Sequence, residues 1–285
     1  MSRFPTLEIR EKDTAGVNFL YRTAIGRGLL QVLIRPGVSK ALGAFLDTGL
    51  SRHLVAPFVK TTGLDLSDYP DRNYNSFNDF FTRTVKDGRR PLDASPDTLI
   101  APCDGKLTAY PITEDALFDI KHSVYAVKDL LRDEELAKEF EGGMCLIFRL
   151  TPDDFHRYGF MDDGKILSSH VLPGVLHTVR PIAFRRYPVF SENAREYAVL
   201  ETANFGKVIQ MEVGALFVGR IVNRPLTDFV RGQEKGKFEF GGSTVILLLQ
   251  KGAAKIDEEI LRNTQSGKES IVRLGNRIGR RETGL

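Results

Sequence analysis

A serine directly after two glycines, Gly241-Gly242-Ser243, is where residue type and covalent spacing first offer chemistry in this 285-residue chain. A serine hydroxyl lies close, through its own backbone, to the carbonyl carbon of the preceding residue. Where that backbone is held strained, the hydroxyl can attack the carbonyl and convert the amide to an ester. Glycine at 242 removes the Cβ that would block the approach and opens dihedrals closed to other residues. Elimination from the ester and hydrolysis then leave a pyruvoyl group on a new N-terminus at 243. Its carbonyl is an electrophile and an electron sink for an amine substrate, as pyridoxal phosphate is, without a separately bound cofactor. The competing reading is structural: Gly-Gly between two strand-like runs is an ordinary hairpin turn or bulge.

The flanking elements are strands by pattern. Phe238 and Phe240 alternate with Lys237 and Glu239, the period of a half-buried strand, and Val245 to Leu249 is an unbroken apolar run expected of a strand buried on both faces. From Leu99 onward short β-like runs dominate, over 99–110, 145–150, 166–172, 197–202, 207–222 and 238–249, with one helix expected over 127–140. Upstream, residues 1–16 are polar and predict little ordered structure. A helix is expected over 17–35, studded with Arg22, Arg27 and Arg35, and an amphipathic helix over 39–55 with Leu42, Phe45, Leu46, Leu50 and Leu54 on one stripe. Ser76, with Asp79 in the capping-box position, predicts the start of a short helix carrying Phe77, Phe80 and Phe81, ended by Arg89-Arg90-Pro91. The expected fold class is α+β: N-terminal amphipathic helices over residues 1–70, then a β-rich catalytic domain over 71–285.

Composition narrows the setting. Hydrophobic residues at 42% and charged residues at 27% are ordinary for a globular protein, and a net charge of +3 gives no case for nucleic acid. Residues 1–60 hold nine Lys or Arg against four acids, a local excess that with the apolar stripes suggests an anionic membrane surface. Packing of these helices on their own domain is the alternative. Two cysteines, Cys103 and Cys145, make no disulfide framework and fit a reducing compartment. The start lacks an apolar signal core, and no window of about 18 apolar residues predicts a spanning helix. The five histidines show no metal-ligand spacing.

Four segments together resemble the phosphatidylserine decarboxylase proenzymes. YNSFNDFFTRTVKDGRRPLD at 74–93 is similar to the family's Phe-x-x-Phe-Phe-x-Arg helix followed by Arg-Pro-Ile/Leu. APCDG at 101–105 is similar to Pro-x-Asp-Gly, and TPDDFHRYG at 151–159 to Asp-Tyr-His-Arg-x-His. GGST at 241–244 matches the cleavage site. Weaker matches are LPGVLHTVRP at 172–181 and MEVGALFVGRI at 211–221.

The resemblance implies loss of the serine carboxyl of phosphatidylserine as carbon dioxide, giving phosphatidylethanolamine through a Schiff base. It implies cleavage into a β chain, 1–242, and an α chain, 243–285, which stay together as a heterodimer that can pair again. Carried over by position, Ser243 becomes the pyruvoyl group, Gly242 and Thr244 flank it, and Asp104 and His156 form the relay that activates the Ser243 hydroxyl. Histidine is the usual base for such a hydroxyl, and a carboxylate orients it. His156 could serve again as the acid that returns a proton to the carbanion. The resemblance also implies peripheral attachment to the cytoplasmic face of a membrane. The family's second histidine is replaced here by Gly159. His177, in a turn-rich segment after Pro173-Gly174, is the candidate stand-in; His170 reads better as packed.

Three other readings compete. A Cys-His hydrolase would use Cys103 and His156, but Asp104 beside the thiol opposes thiolate formation. A non-catalytic lipid-binding homologue would leave one uncut chain. A related pyruvoyl decarboxylase of a soluble amino acid would have no use for the basic, apolar N-terminal region.

Overall fold

Val245–Leu249 is apolar without a break because it has no solvent face. In the computed structural model the strand Ser243–Leu249 is buried along its whole length and, among the described residues, is the fifth of nine strands in one sheet. The structure describes residues 2–8, 14–120, 123–184, 186–216, 220–241 and 243–282. The sheet runs in the order Thr6–Glu8, Lys268–Val272, Gly105–Pro111, Met144–Leu150, Ser243–Leu249, Gly206–Val213, Arg195–Thr202, Gly164–Leu172 and Asp228–Phe229. Every pairing in it is antiparallel. Ser243 stands opposite Leu150, and Thr244 opposite Arg149 and Val213. Smaller sheets join Ile221–Asn223, Glu234–Phe238 and Arg157–Gly159, and join Ala254–Ile256, Arg277–Arg281 and Thr98–Ile100. N-terminal helices followed by a large β-rich region therefore describe the chain.

Several expected elements break where local chemistry allows. The helix expected over 17–35 is two, α1 (Ala15–Arg22) and α2 (Ala24–Leu33), because Thr23 leaves the helical region and its Oγ1 accepts a hydrogen bond from Gly26 N at 2.9 Å, capping α2. The helix expected over 39–55 is α3 (Pro36–Leu46), with Pro36 at its start, then a 3₁₀ turn (Gly49–Leu54); α4 (Val55–Thr62) follows. Its apolar residues thus divide: Leu46 is buried against Phe77 and Phe81, whereas Leu50 is 74% exposed. The 127–140 helix is split into Val127–Leu131 and Glu134–Lys138 by Arg132, which adopts φ +52°. The strand expected over 99–110 is interrupted at Ala101–Asp104, and the tail from Lys255 holds the end of the strand Ala254–Ile256, the helix Glu258–Gln265 and the strands Lys268–Val272 and Arg277–Arg281. Contrary to the expectation of little order at the start, Thr6–Glu8 is the edge strand, paired with Lys268–Ser270.

Tyr21, Leu30 and Ile34 of the N-terminal segment are buried in the same core as the large sheet, while Phe19, Ile25, Leu29 and Val32 stay exposed on the outer side. Among the described residues no single helix is long and apolar enough to cross a membrane. α2 and α3, bent by 68° at their junction, reach membrane-like length and hydropathy only together.

Candidate active site

Ser243 begins the central strand, where it pairs with Leu150 on one side; pairing on both sides begins at Thr244, opposite Arg149 and Val213. The segment Arg157–Gly159 pairs with Glu234–Phe238, and Phe238 N donates to His156 O at 2.9 Å, so the chain leading up to the serine is tied to the histidine's own segment. His156 Nδ1 lies 3.3 Å from Ser243 Oγ, and both residues are fully buried. His156 Nε2 lies 3.0 Å from the carbonyl oxygen of Thr151. A carbonyl only accepts, so Nε2 carries the hydrogen and Nδ1 presents its lone pair to the serine hydroxyl. Phe81, the last residue of the short helix α5 (Phe77–Phe81), lies over the imidazole with ring centroids 4.2 Å apart. Burial drives the His156 pKa down to about 3, so the ring is neutral at physiological pH.

α5 forms as its sequence requires: Ser76 Oγ accepts from Asp79 N at 3.1 Å. The Asp79 carboxylate, however, accepts from Asn75 N at 2.9 Å, and the helix ends at Phe81, well before Arg89. Asn78 on α5 accepts from Phe240 N, so this helix also grips the peptide just before the cleavage candidate. Gly241 has φ +135°, a conformation that favours glycine. Gly242 lies outside the described residues. Thr244, one residue on, faces the opposite side of the strand, and its hydroxyl is buried without a hydrogen-bond partner among the described residues.

Asp104 does not make the expected hydrogen bond to His156. Both imidazole nitrogens are engaged by Ser243 and Thr151, and both Asp104 oxygens by Arg90, at 2.9 Å from Nε and 2.6 Å from Nη2; Leu274 N donates a further bond at 2.9 Å. Arg90 also bonds Asp68 at 2.9 Å. The carboxylate that reaches the histidine's support is Asp154: its Oδ2 accepts from Thr151 N at 2.6 Å and from Thr151 Oγ1 at 2.9 Å, and Lys106 Nζ lies 2.6 Å away. Thr151 and Asp154 both stand in the TPDDFHRYG segment, but a backbone carbonyl as partner leaves no mark on residue type.

Gly159 cannot hold a histidine as the chain is folded. A Cβ there would lie 2.9 Å from Gln233 O and 3.1 Å from Gly232 O. His177, the candidate stand-in, makes its contacts elsewhere. Its Nδ1 lies 3.3 Å from Tyr21 OH, its ring stacks on Tyr187 at 3.9 Å, and its backbone is held by Asn193. It thereby ties α1 to the body, and the structure shows no contact between it and Ser243 or His156. His170 stacks on Tyr197. The hydrolase reading fails on Cys103, whose thiol is fully buried and pushed well up by burial and by Asp104.

The residues around Ser243 fit a pyruvoyl group, which would be built from the serine's own atoms in a dry setting. Glu212 projects from the neighbouring strand on the Ser243 face, and one of its buried oxygens, Oε1, has no hydrogen-bond partner among the described residues.

An antiparallel α+β fold that buries a serine hydroxyl beside a neutral imidazole fits a proenzyme, since the peptide covalently nearest to that hydroxyl is the serine's own. Comparison with known proteins supplies the family. Residues 77–280 match the family described as phosphatidylserine decarboxylase, and the chain belongs to it. It is 46% identical over 264 residues to "Phosphatidylserine decarboxylase proenzyme 2" of Clostridium acetobutylicum, covering 92% of this chain and 91% of that one. It is 41% identical over 273 residues to a phosphatidylserine decarboxylase proenzyme of Clostridium botulinum, covering 93% and 92%, and 38% identical over 275 residues to one of Desulfitobacterium hafniense, covering 94% and 92%.

Proposed function

We propose that this chain is a self-cleaving, pyruvoyl-dependent decarboxylase that converts phosphatidylserine to phosphatidylethanolamine. The observation that carries the reading is the Ser243–His156 contact, with the imidazole tautomer set by the Thr151 carbonyl. His156 Nδ1 takes the proton of Ser243 Oγ as that oxygen bonds to the carbonyl carbon of Gly242. The carbon–nitrogen bond breaks, and the nitrogen of residue 243 takes the proton back from His156. Loss of the α proton of residue 243 and departure of the Gly242 carboxylate follow; addition of one water then releases ammonia and leaves the pyruvoyl group. That group supplies an electrophilic carbonyl and electron sink for the substrate amine. The Thr151 carbonyl stabilises the transient imidazolium, and Phe81 excludes water from it. Asp104 acts through Arg90, which locks the 101–105 turn. That turn's Pro102 carbonyl accepts from Gly159 N, so Asp104 is read as a positioning residue for the histidine segment. His177 holds α1 against the body.

We further propose that residues 1–70 contact an anionic membrane as a peripheral attachment at the cytoplasmic face, through the apolar side chains that α1 and α2 leave exposed. After cleavage the products would be a heterodimer of residues 1–242 and 243–285.

Mass measurement of purified protein under denaturing conditions tests the reading. Two fragments are expected, 1–242 and 243–285, the second blocked to N-terminal sequencing, and Ser243→Ala should remain one chain. Decarboxylation of phosphatidylserine in micelles should persist in chelator. An uncut wild-type chain, or activity lost to chelator and restored by a metal, would overturn it.

A further inference from the structure

Beside Ser243 a cavity of about 160 Å³ opens between the sheet and α1. Leu150, the register partner of Ser243, Thr151, which holds His156, and Gly241 form its inner end. Among the described residues two arginines line it and no carboxylate does. Arg149 is neutralised by Glu269, at 2.9 Å from Nε and 2.6 Å from Nη2. Arg180 differs: it is half-buried, and its guanidinium has no hydrogen bond or ion pair among the described residues. A partly desolvated cation without an anion is costly, and five donors in a fixed fork suit an oxyanion. Val17, Val179 and Leu216 make the remaining wall apolar, and Val17 belongs to α1, the helix that also leaves Phe19 exposed on its outer side.

Resting on the function proposed above, we infer that Arg180 is the specificity-determining residue for the phosphodiester of the substrate headgroup. The substrate amine must reach residue 243. Its phosphorus lies beyond the serine Cα, Cβ and ester oxygen, so its anion falls a short span from the reacting end, and the cavity beside Ser243 is the one that Arg180 lines. The apolar wall takes the first atoms of the glycerol ester.

Binding to the uncut Ser243→Ala chain measures this without the pyruvoyl group. Short-chain phosphatidylserine, titrated calorimetrically, should bind about tenfold or more weakly to Ser243→Ala/Arg180→Gln than to Ser243→Ala. An O-alkyl serine ether, lacking the phosphate, should not distinguish the two. Inorganic phosphate should bind far more weakly than the lipid, because it leaves the apolar wall uncovered. In the cleaved enzyme Arg180→Gln should raise KM about tenfold with kcat little changed, and Arg180→Lys should recover part of it. Equal lipid affinity with and without Arg180 overturns the inference. So does loss of self-cleavage in both Arg180→Gln and Arg180→Lys, since a headgroup-binding residue has no part in cleavage. If wild type itself neither cleaves nor decarboxylates, it is the proposed function that fails.

Discussion

Self-cleavage should be nearly indifferent to pH across the range in which histidines ordinarily titrate. A histidine with the usual pKa of about 6.5 is only about one-tenth neutral at pH 5.5, and a base of that kind would cut roughly tenfold more slowly there than at pH 7.5. His156 is held at about 3 by burial first, with the charges of Arg83 and Lys106 pushing the same way and Asp153 opposing them. It stays neutral at both pH values, and the rate at pH 5.5 should lie within about twofold of that at pH 7.5. Charging the buried ring costs about 5 kcal/mol more than in water, at 1.36 kcal/mol for each pH unit. The same displacement makes stability pH-dependent. The unfolded chain takes a proton at this histidine near pH 6.5 and the folded chain not until about 3, so stability is full above 6.5 and is lost as pH falls through that window. Pulsed cell-free synthesis, with aliquots quenched on a denaturing gel, gives the cleavage rate. Urea titration of Ser243→Ala against Ser243→Ala/His156→Phe isolates the histidine from Asp154, whose pKa burial moves upward. A cleavage rate that falls with a midpoint near 6.5 would refute a buried, neutral His156.

Three further outcomes follow from the geometry. Asp104→Asn should cost roughly 3 kcal/mol by denaturant titration, because it leaves the buried Arg90 with Asp68 alone, and should slow cleavage less than His156→Ala does. Gly159→His should destabilise by about 1–3 kcal/mol and add no catalytic power, since the carbonyls of Gly232 and Gln233 occupy the space; a faster decarboxylase with normal stability would contradict this. Binding to anionic vesicles should weaken as salt rises, because exposed charges reach only about 10 Å near 0.1 M, and leave a salt-resistant remainder from the apolar side chains of α1 and α2. Equal binding to neutral and anionic vesicles would remove the electrostatic part.

What the sequence made legible was what repeats at short range. The apolar run Val245–Leu249 announced the central strand, and Ser76 with Asp79 announced the start of α5. Breaks set by one residue were not legible: Thr23 reads as helix interior until its hydroxyl is seen capping α2, and Arg132 carries no sign of its left-handed backbone. Three-residue strands such as Thr6–Glu8 are too short to show a period. Ser243 and His156 were found as residue types, but what orients the histidine was not, because the Thr151 carbonyl is backbone. Asp104 was placed on His156 by position along the chain, whereas folding brings Arg90 to it instead.

Cleavage before Ser243 would fall at the head of the middle strand, not in a loop at the rim. The shorter product would contribute Ser243–Leu249 between Met144–Leu150 and Gly206–Val213, Lys268–Val272 between Thr6–Glu8 and Gly105–Pro111, and Arg277–Arg281 against Thr98–Ile100. Its strands would be interleaved with those of its former other half, so the two pieces could not part without dismantling the sheet. Dilution alone should not separate them. Once denaturant does, reassembly becomes a meeting of two molecules, slower as they are diluted, where the uncut chain had its partner strands tethered. Maturation would thus give the protein an order: it must fold first and cut second.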